Sequence, residues 1–575
     1  MMTLFRRCLL TAAAFVVTLP ACAWADMGIN ITGLSGSLKK NVDVYVSAIP
    51  KEDYSPSLRF RSQLETEIRT ALKALGRYQP VFTYSLDEQG KDSTLTVQVD
   101  AGPKTQIAVS DIRITGEAAN DLDFFVLKRD SRLEQGRTLN HGKYDAFKSG
   151  LESLALRKGY FDAKLKLSRL EVAPGRNQAF IHIEFDSGRR YKFGEIDITG
   201  SQIDEHKVRS LSPFEAGDDY LVSKVGEYNQ RLSTVGWFSS IFVGGDVNEL
   251  GEGTVPIRVD LEPEVKNQIE TGIGYSTDVG PRLKFNWRKP WINSAGHSLN
   301  VRTEISKIQP KVEATYKIPL DNVLEDYYQL IGAIRYVDNH DTISTEYHFG
   351  VERHWRFDRA WDGVASVRLL YEDYNQGAFE QGSAFMVIPG VSVSRTRLRG
   401  GSWPTWGDKQ LLKLEYSDSA FGSDHRLLKL RGRSAWIRTY AEDHRLLARL
   451  DAGTIWAETL EDIPPSMRFF IGGDNSLRGY RYESISPRDN DGQQTGGENM
   501  LASTLEYQYR LTGNWWGALF YDYGASWIDN PDWQAGAGFG IRWASPVGPI
   551  RLDFAWGLDK PDERFQLHFV LGPEL

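Results

Sequence analysis

The stretch Leu501-Ala-Ser-Thr-Leu-Glu-Tyr-Gln-Tyr-Arg-Leu511 alternates two kinds of side chain along its length. One face is mainly leucine and tyrosine, and the other carries Thr504, Glu506, Gln508 and Arg510. Because lipid cannot satisfy charged groups, an apolar outer face opposite a charged inner face is typical of a transmembrane β-barrel. The stretch therefore predicts a barrel strand with Glu506 in the lumen.

The same alternation recurs in segments of about ten residues from residue 266 to residue 575. We count sixteen such segments, and an even number places both ends of a barrel on one side of the membrane. Of the 16 tryptophans, 14 lie beyond Lys266, as expected for aromatic girdles at the two membrane interfaces. A soluble β-sandwich or propeller is the alternative, but neither requires polar residues on the second face of nearly every strand. The sequence therefore predicts an all-β, 16-stranded transmembrane barrel over residues 266–575.

One phrase occurs three times in the first half of the chain. Its copies are Ile29-Asn-Ile-Thr-Gly33, Ile112-Arg-Ile-Thr-Gly116 and Ile196-Asp-Ile-Thr-Gly200, at spacings of 83 and 84 residues. Each copy is followed by helical periodicity, a glycine before an aromatic residue, and a closing alternating strand. The pattern predicts an α+β half made of three βααββ units. Their expected ranges are 26–104, 105–188 and 189–265.

Residues 1–25 have the features of a cleavable signal peptide. Arg6 and Arg7 precede an apolar stretch and the small-x-small site Ala23-Trp-Ala25. Cys22 ends a Leu-Pro-Ala-Cys sequence that faintly matches a lipoprotein site, although the proline fits poorly. Cys8 and Cys22 are the two cysteines of the chain, so the mature protein is expected to lack thiol chemistry. The formal net charge of −8 gives no electrostatic reason to expect nucleic acid.

No catalytic constellation emerges from the sequence. The ten histidines are scattered without an HExxH or similar ligand spacing. Gly536-Ala-Gly-Phe-Gly540 resembles a nucleotide-binding pattern, but it lacks the following helix. Glycines in a barrel strand more often permit bending or close approach. We therefore expect no enzyme activity, no cofactor and no metal, with an enzyme as the competing class.

The longest interruption of the strand pattern runs over about residues 460–499. A connection of about forty residues in a compact fold is usually functional. Its most distinctive residues are Gly472, Gly473, Arg478, Gly479 and Tyr480.

Strand alternation places two acids, Glu506 and Asp522, on the inner face of the barrel. If the loop folds into the lumen, Arg478 can form a forked bond to one of these carboxylates. Gly479 would let the loop backbone approach the wall. The alternative is that the acids pair with wall residues such as Arg510.

Together these features resemble a superfamily of outer-membrane assembly and secretion proteins that join POTRA (polypeptide-transport-associated) modules to a sixteen-stranded barrel. The resemblance rests on the βααββ repeats, on the loop motif, and on further motifs toward the C-terminus. These are Gly496-Gly497, Glu506-Tyr507, Phe520-x-Asp522-x-Gly524 and the segment Ser545 to Phe554. The resemblance covers essentially the whole mature chain, and it implies Asp522 as the first partner of Arg478 and Glu506 as the second.

Within the superfamily, three modules in a chain of this length most resemble the TamA family of translocation and assembly module subunits. General barrel-assembly factors usually have five modules, and two-partner secretion transporters usually have two. The resemblance implies an outer-membrane barrel of a Gram-negative-type cell with periplasmic repeats, which inserts barrel proteins such as autotransporters. It implies contacts with outer-membrane lipid, with unfolded client proteins and with a TamB-like partner anchored in the inner membrane. The alternative is a secretion pore that exports a dedicated protein, and a diffusion porin ranks third.

A closed barrel has no free edges, so an insertase of this kind would open where its first and last strands meet. We place this seam near Gly272 in the first strand and near Phe569 in the last. The chain then continues through Gly572 and Pro573. Because proline cannot donate to a strand ladder, we expect short pairing there. Lateral opening would then offer strand edges to a client by β-augmentation.

Overall fold

The computed structural model of the chain describes residues 27–89, 92–247, 249–358, 360–377, 380–545, 548–559 and 565–571. The predicted signal peptide with both cysteines lies outside these residues, as do Gly572 and Pro573. The chain separates into two compact units. The first holds the first two repeats, and the second holds most of the third repeat together with the barrel.

Each repeat folds as the predicted βααββ unit. The first comprises β1 (Met27–Thr32), α1 (Gly36–Ser47), α2 (Leu58–Ala74), β2 (Val81–Gln89) and β3 (Asp92–Asp100). The second comprises β4 (Gln106–Thr115), α3 (Leu122–Asp130), α4 (His141–Lys158), β5 (Lys164–Ala173) and β6 (Gln178–Asp186). The third comprises β7 (Lys192–Thr199), α5 (Glu205–Arg209), α6 (Val222–Val235), β8 (Phe238–Gly245) and β9 (Thr254–Pro263). In each three-stranded sheet the last strand is central, with the orders β1-β3-β2, β4-β6-β5 and β7-β9-β8.

The helices cover the sheets through amphipathic faces. In α2, Phe60, Leu64 and Ile68 recur every four residues and are buried in the same core as Leu95 and Val97 of β3. Burying each such side chain contributes about 1.5–3 kcal/mol relative to leaving it in water. None of the helices in the described ranges is both long enough and apolar enough to cross a membrane.

The glycine of the repeated phrase is needed in every unit. Gly33, Gly116 and Gly200 have φ values between +75° and +83°, which residues with a Cβ rarely adopt. A Cβ at Gly33 would lie 2.4 Å from the carbonyl oxygen of Val99, and one at Gly200 would lie 2.1 Å from that of Leu261. The phrase therefore recurs because the first strand must turn sharply beside the central strand.

The C-terminal half is a closed barrel of sixteen strands, as the alternation predicts. Its first eight strands are β10 (Gln268–Ser276), β11 (Gly280–Lys289), β12 (Ser298–Ile305), β13 (Lys311–Pro319), β14 (Tyr327–Asn339), β15 (Thr342–Asp358), β16 (Trp361–Gln376) and β17 (Glu380–Arg399). The other eight are β18 (Trp406–Ser417), β19 (Leu427–Tyr440), β20 (His444–Ala457), β21 (Asn499–Thr512), β22 (Trp515–Trp527), β23 (Gln534–Ser545), β24 (Gly548–Gly557) and β25 (Gln566–Leu571). Neighbouring strands are antiparallel, and β10 lies beside β25.

Strand β21 has the two faces that its sequence predicts. Leu505 is 61% exposed on the outer face, whereas Glu506 and Gln508 are buried on the inner face. Arg510 is exposed near the end of β21, where it lies opposite the buried Trp516. It therefore continues the inner face that the sequence pattern predicts, but at the rim of the barrel.

The third repeat packs against a turn of the barrel within the second compact unit. The Trp237 side chain is buried, and its Nε1 donates to the carbonyl oxygen of Gly296 at 3.2 Å. A Cβ at Gly296 would lie 2.3 Å from the Trp237 ring. The backbone N–H of Asp204 donates to Ser294 O at 2.8 Å in the same turn. This module is therefore held on the turn between β11 and β12.

Candidate functional site in the barrel lumen

The long loop, residues 458–498, joins β20 to β21, and Arg478 within it is 1% exposed. Its guanidinium forms a fork with Asp522: Nε lies 2.8 Å from Oδ2, and Nη2 lies 2.9 Å from Oδ1. The backbone N–H of Arg478 also donates to Asp522 Oδ2, at 3.0 Å. The third nitrogen, Nη1, lies 2.7 Å from Glu506 Oε2 and 3.3 Å from Asp553 Oδ2. The loop arginine therefore contacts both acids singled out from the sequence.

A second arginine, from the wall, completes this group. Arg542 on β23 donates to Glu506 Oε1 through Nη2 at 2.9 Å, and its Nη1 lies 2.6 Å from Asp553 Oδ1. We call Arg478, Arg542, Glu506, Asp522 and Asp553 the lumenal cluster. Glu506 and Asp553 thus contact a wall arginine as well as the loop, and this arginine is Arg542 rather than Arg510. Arg510 Nη1 instead lies 3.7 Å from Asp443 Oδ1.

Sequence reasoning missed Arg542 and Asp553. Both occupy inward positions of alternating strands, which was the available signal. Many other polar residues share such positions, however, so the alternation does not single them out. Loss of either arginine would take a direct partner from buried carboxylates, which is costly in a desolvated site.

Close backbone approach lets the loop reach the wall. Gly479 has φ +91°, and a Cβ there would lie 2.6 Å from the backbone nitrogen of Gly557. A Cβ at Gly536 on β23 would lie 2.0 Å from the carbonyl oxygen of Arg478. Tyr480 is fully buried, and its hydroxyl donates to Ala535 O at 3.0 Å. Gly536 of β23 thus leaves room for the loop, whereas Gly538 and Gly540 lie against residues of the barrel wall.

The two earlier glycines of the motif serve a turn near the first strand. Gly472 and Gly473 have φ values of +121° and +95°. A Cβ at Gly473 would lie 2.7 Å from the carboxylate oxygens of Asp278, which follows β10. This part of the loop is therefore packed directly against the first turn of the barrel.

A second anchor holds the loop on other strands of the wall, and sequence reasoning did not identify it. The hydroxyl of Ser466 donates to the buried carboxylate of Glu372 on β16. The ammonium of Lys429 on β19 donates to Met467 O at 2.6 Å and lies 4.6 Å from the centre of the Phe469 ring. Glu372 and Lys429 are single inward-facing residues without a motif, so only their three-dimensional neighbours distinguish them.

Gly272 lies in the first barrel strand, β10, and Phe569 lies in the last, β25. The two residues do not lie opposite each other. Among the residues described, Ser276 and Val570 are the one residue pair in register between β10 and β25. Beyond it, Thr277 N donates to Phe569 O at 3.3 Å. On its other side, β10 pairs with β11 along its whole length.

Within the described ranges, one group has the side chains and spacing for a metal ion: Asp278, Asp474 and His568. His568 Nε2 faces the backbone N–H of Gly479 at 3.1 Å and must therefore accept a hydrogen bond. Its Nδ1 then carries the proton and donates to Asp474 Oδ1 at 2.6 Å. Since both ring nitrogens are used within the protein, the geometry favours a hydrogen-bonded bridge over a metal site.

Comparisons with known proteins agree with this architecture. Residues 266–574 match the Omp85 superfamily domain. Residues 28–101 match the POTRA domain described as TamA domain 1, and residues 107–188 match the POTRA family described as a surface antigen variable number repeat.

Curated relatives include two proteins named outer membrane protein assembly factor BamA. The one from Nitratidesulfovibrio vulgaris is 24% identical over 377 residues, which cover 60% of this chain and 46% of that protein. The one from Neorickettsia risticii is 19% identical over 471 residues, which cover 76% of this chain and 62% of that protein. The chain thus spans about half to three fifths of the length of these relatives.

A crystal structure of BamA from Haemophilus ducreyi lacking POTRA domains 1–3 has the same fold, with a TM-score of 0.68 and 16% identity. The match covers 81% of this chain and 99% of that one. The superfamily domain spans more than half of the chain, and it coincides with the closed barrel that follows the POTRA modules. This chain therefore belongs to the Omp85 superfamily, as an outer-membrane β-barrel with periplasmic POTRA modules.

Proposed function

We propose that this chain is an assembly and translocation factor that inserts barrel proteins, autotransporters among them, into the outer membrane without enzymatic catalysis. The observation that carries the proposal is the architecture. POTRA modules precede a closed barrel whose first and last strands, β10 and β25, meet at a seam. A barrel built only for diffusion would gain nothing from periplasmic modules.

Physical chemistry supplies a reason for a client strand to enter such a seam. When β25 separates from β10, both strands expose unpaired N–H and C=O groups at membrane depth. Each unsatisfied group costs several kcal/mol in lipid, so an incoming strand that pairs with these edges is strongly favoured.

The long loop belongs to the same proposal. It is held in the lumen by Arg478 on one side and by Lys429 on the other. A loop fixed in this way blocks an open channel through the barrel, as an insertase requires if it is not to leak. We propose that the lumenal cluster keeps the loop seated while the seam exchanges strands.

We also propose its partners: unfolded outer-membrane clients, the surrounding lipid, and a TamB-like periplasmic protein anchored in the inner membrane. The match of residues 28–101 to the TamA-type first module supports the last of these. Crosslinking in cells from positions on the first module should capture that partner. Failure to capture it there, with capture from matched positions on the third module instead, would contradict this placement.

The test of function is an outer-membrane proteome after deletion of the gene, with the wild-type copy restored as the control. Loss of several autotransporters would support the insertase. Loss of one exported protein would instead identify a dedicated secretion pore, and loss of solute uptake alone would identify a porin.

A further inference from the structure

A residue of the long loop adds polar contacts to the direct hydrogen bonds across the seam. Asp474 is 3% exposed, and its Oδ1 accepts from Thr277 Oγ1 at 3.1 Å and from His568 Nδ1 at 2.6 Å. Thr277 follows β10, whereas His568 lies in β25. One carboxylate oxygen therefore contacts both sides of the seam.

The hydrogen bonds around Asp474 have a defined direction. Thr277 directs its hydroxyl proton to Asp474, so a lone pair of Oγ1 is left to accept from Phe569 N at 3.1 Å. This completes a chain from the last strand through Thr277 to the loop carboxylate. Bonds in such a chain polarise and strengthen one another.

The loop also holds each side of the seam through its backbone. Asp474 N donates to Asp278 Oδ2 at 2.8 Å, in the turn that follows β10. Gly479 N donates to His568 Nε2 at 3.1 Å, in β25. The seam cannot part with the loop in place unless one of these two sets of bonds breaks.

We propose that Asp474 is a positioning residue that fastens the seam, joining the first turn of the barrel to its last strand through the loop. The proposal rests on the lateral opening proposed above. It assigns to the loop a role in seam closure that is additional to filling the lumen. Asp474 and Arg478 lie four residues apart on one loop, so the lumenal cluster also holds Asp474 in place beside the seam.

The test measures the seam directly, in the full-length protein in lipid nanodiscs and without a client. Spin labels on Ile273→Cys in β10 and Leu567→Cys in β25 report the distance between the two strands. Both positions are exposed on the outer face, and the two native cysteines lie in the predicted signal peptide. Heat-modified gel migration verifies that each variant has a folded barrel.

Asp474→Ala should increase the population with a long distance on the order of tenfold, which corresponds to about 1.4 kcal/mol. Thr277→Val should also increase it, because this change removes the bridge on the β10 side while sparing the loop contact with His568. Asp491→Ala is the matched control, since Asp491 is an exposed acid of the same loop. It should leave the distances unchanged.

Unchanged distances in Asp474→Ala would overturn the proposal. A widened seam in Asp474→Ala together with a normal seam in Thr277→Val would overturn it too, because the effect would then arise from general loosening of the loop. An opened seam with unchanged client assembly would support the fastening role of Asp474 and would contradict lateral opening as the route of insertion. The fastening role of Asp474 and lateral opening as the route of insertion can therefore be contradicted independently of each other.

Discussion

Arg478 is bonded to Asp522, Glu506 and Asp553 at once, which makes its planar fork essential. Arg478→Lys keeps the charge, but a single ammonium cannot span these carboxylates. We expect this change to release the loop and to reduce client assembly. The loss of stability should approach the value for breaking a buried ion pair, which is about 3–5 kcal/mol. Protease cleavage of the loop from outside the cell measures the release.

A charge exchange between Arg478 and Asp522 should not rescue the loop. The carboxylate introduced by Arg478→Asp would face Glu506 and Asp553, so Arg478→Asp with Asp522→Arg would create new repulsion. We expect the double variant to be cleaved at least as fast as Arg478→Lys. Full protection in the double variant would mean that Asp522 alone determines where the loop sits.

Asp278 makes the fastening of the seam dependent on pH. Burial and the neighbouring Asp474 carboxylate raise the pKa of Asp278 to about 8. With the seam open and Asp278 in water, its pKa should return toward the ordinary value of about 3.9. The closed state thus binds the proton more tightly, and it loses stability relative to the open state as pH rises from about 4 toward 8. Other groups around Asp278 that carry or can carry charge are Glu483, His340, Arg481, Tyr482 and His568.

The same spin-labelled protein should therefore show more open seam at pH 8 than at pH 6, with little further change above pH 8. Asp278→Asn is the control, because its side chain does not titrate and should flatten the profile. A profile that Asp278→Asn leaves unaltered would assign the pH dependence to a different group.

At the scale of the element, β23 accommodates the loop at Gly536. Gly536→Ala would place a Cβ 2.0 Å from Arg478 O, so the loop cannot seat as observed. We expect faster protease cleavage of the loop and reduced client assembly. Gly332→Ala on β14 is the matched control, because a Cβ there meets nothing within 4 Å. Equal cleavage of the two variants would show that the approach of the loop to β23 does not hold it in place.

Alternation was sufficient to predict the barrel strands, because lipid on one side and a polar lumen on the other leave a local pattern of period two. The repeated glycine likewise has a local cause in its backbone conformation. The register of the seam has no such local signal. It depends on the tilt and stagger of all the strands together, which is why the sequence did not show that Ser276, rather than Gly272, lies opposite this part of β25. Arg542, Glu372 and Lys429 were missed for a related reason, since a partner from a distant segment distinguishes each of them.

At the scale of the whole molecule, the barrel should be heat-modifiable. Folded barrels resist cold detergent, so an unboiled sample should migrate differently from a boiled one. The POTRA half should be digested by protease while the barrel survives. Identical migration, with the protein in the soluble fraction, would contradict the outer-membrane architecture.

The central claim is that clients enter through the seam, and a reversible bridge across it is the most direct test. Ser276→Cys with Val570→Cys places two thiols at the one residue pair in register among the residues described. Directly opposed residues in antiparallel strands have Cα atoms about 4.5–5.5 Å apart, which suits a disulfide. Leu427→Cys with Ala457→Cys is the control, because this pair bridges β19 and β20 within the wall.

The measurement is insertion of an unfolded autotransporter barrel by the purified protein in proteoliposomes, before and after reduction. We expect the oxidised seam variant to lose insertion and to recover it on reduction, while the wall variant stays active in both states. Full insertion by a completely crosslinked seam variant would contradict the account, because no free strand edge would then exist for the client to join.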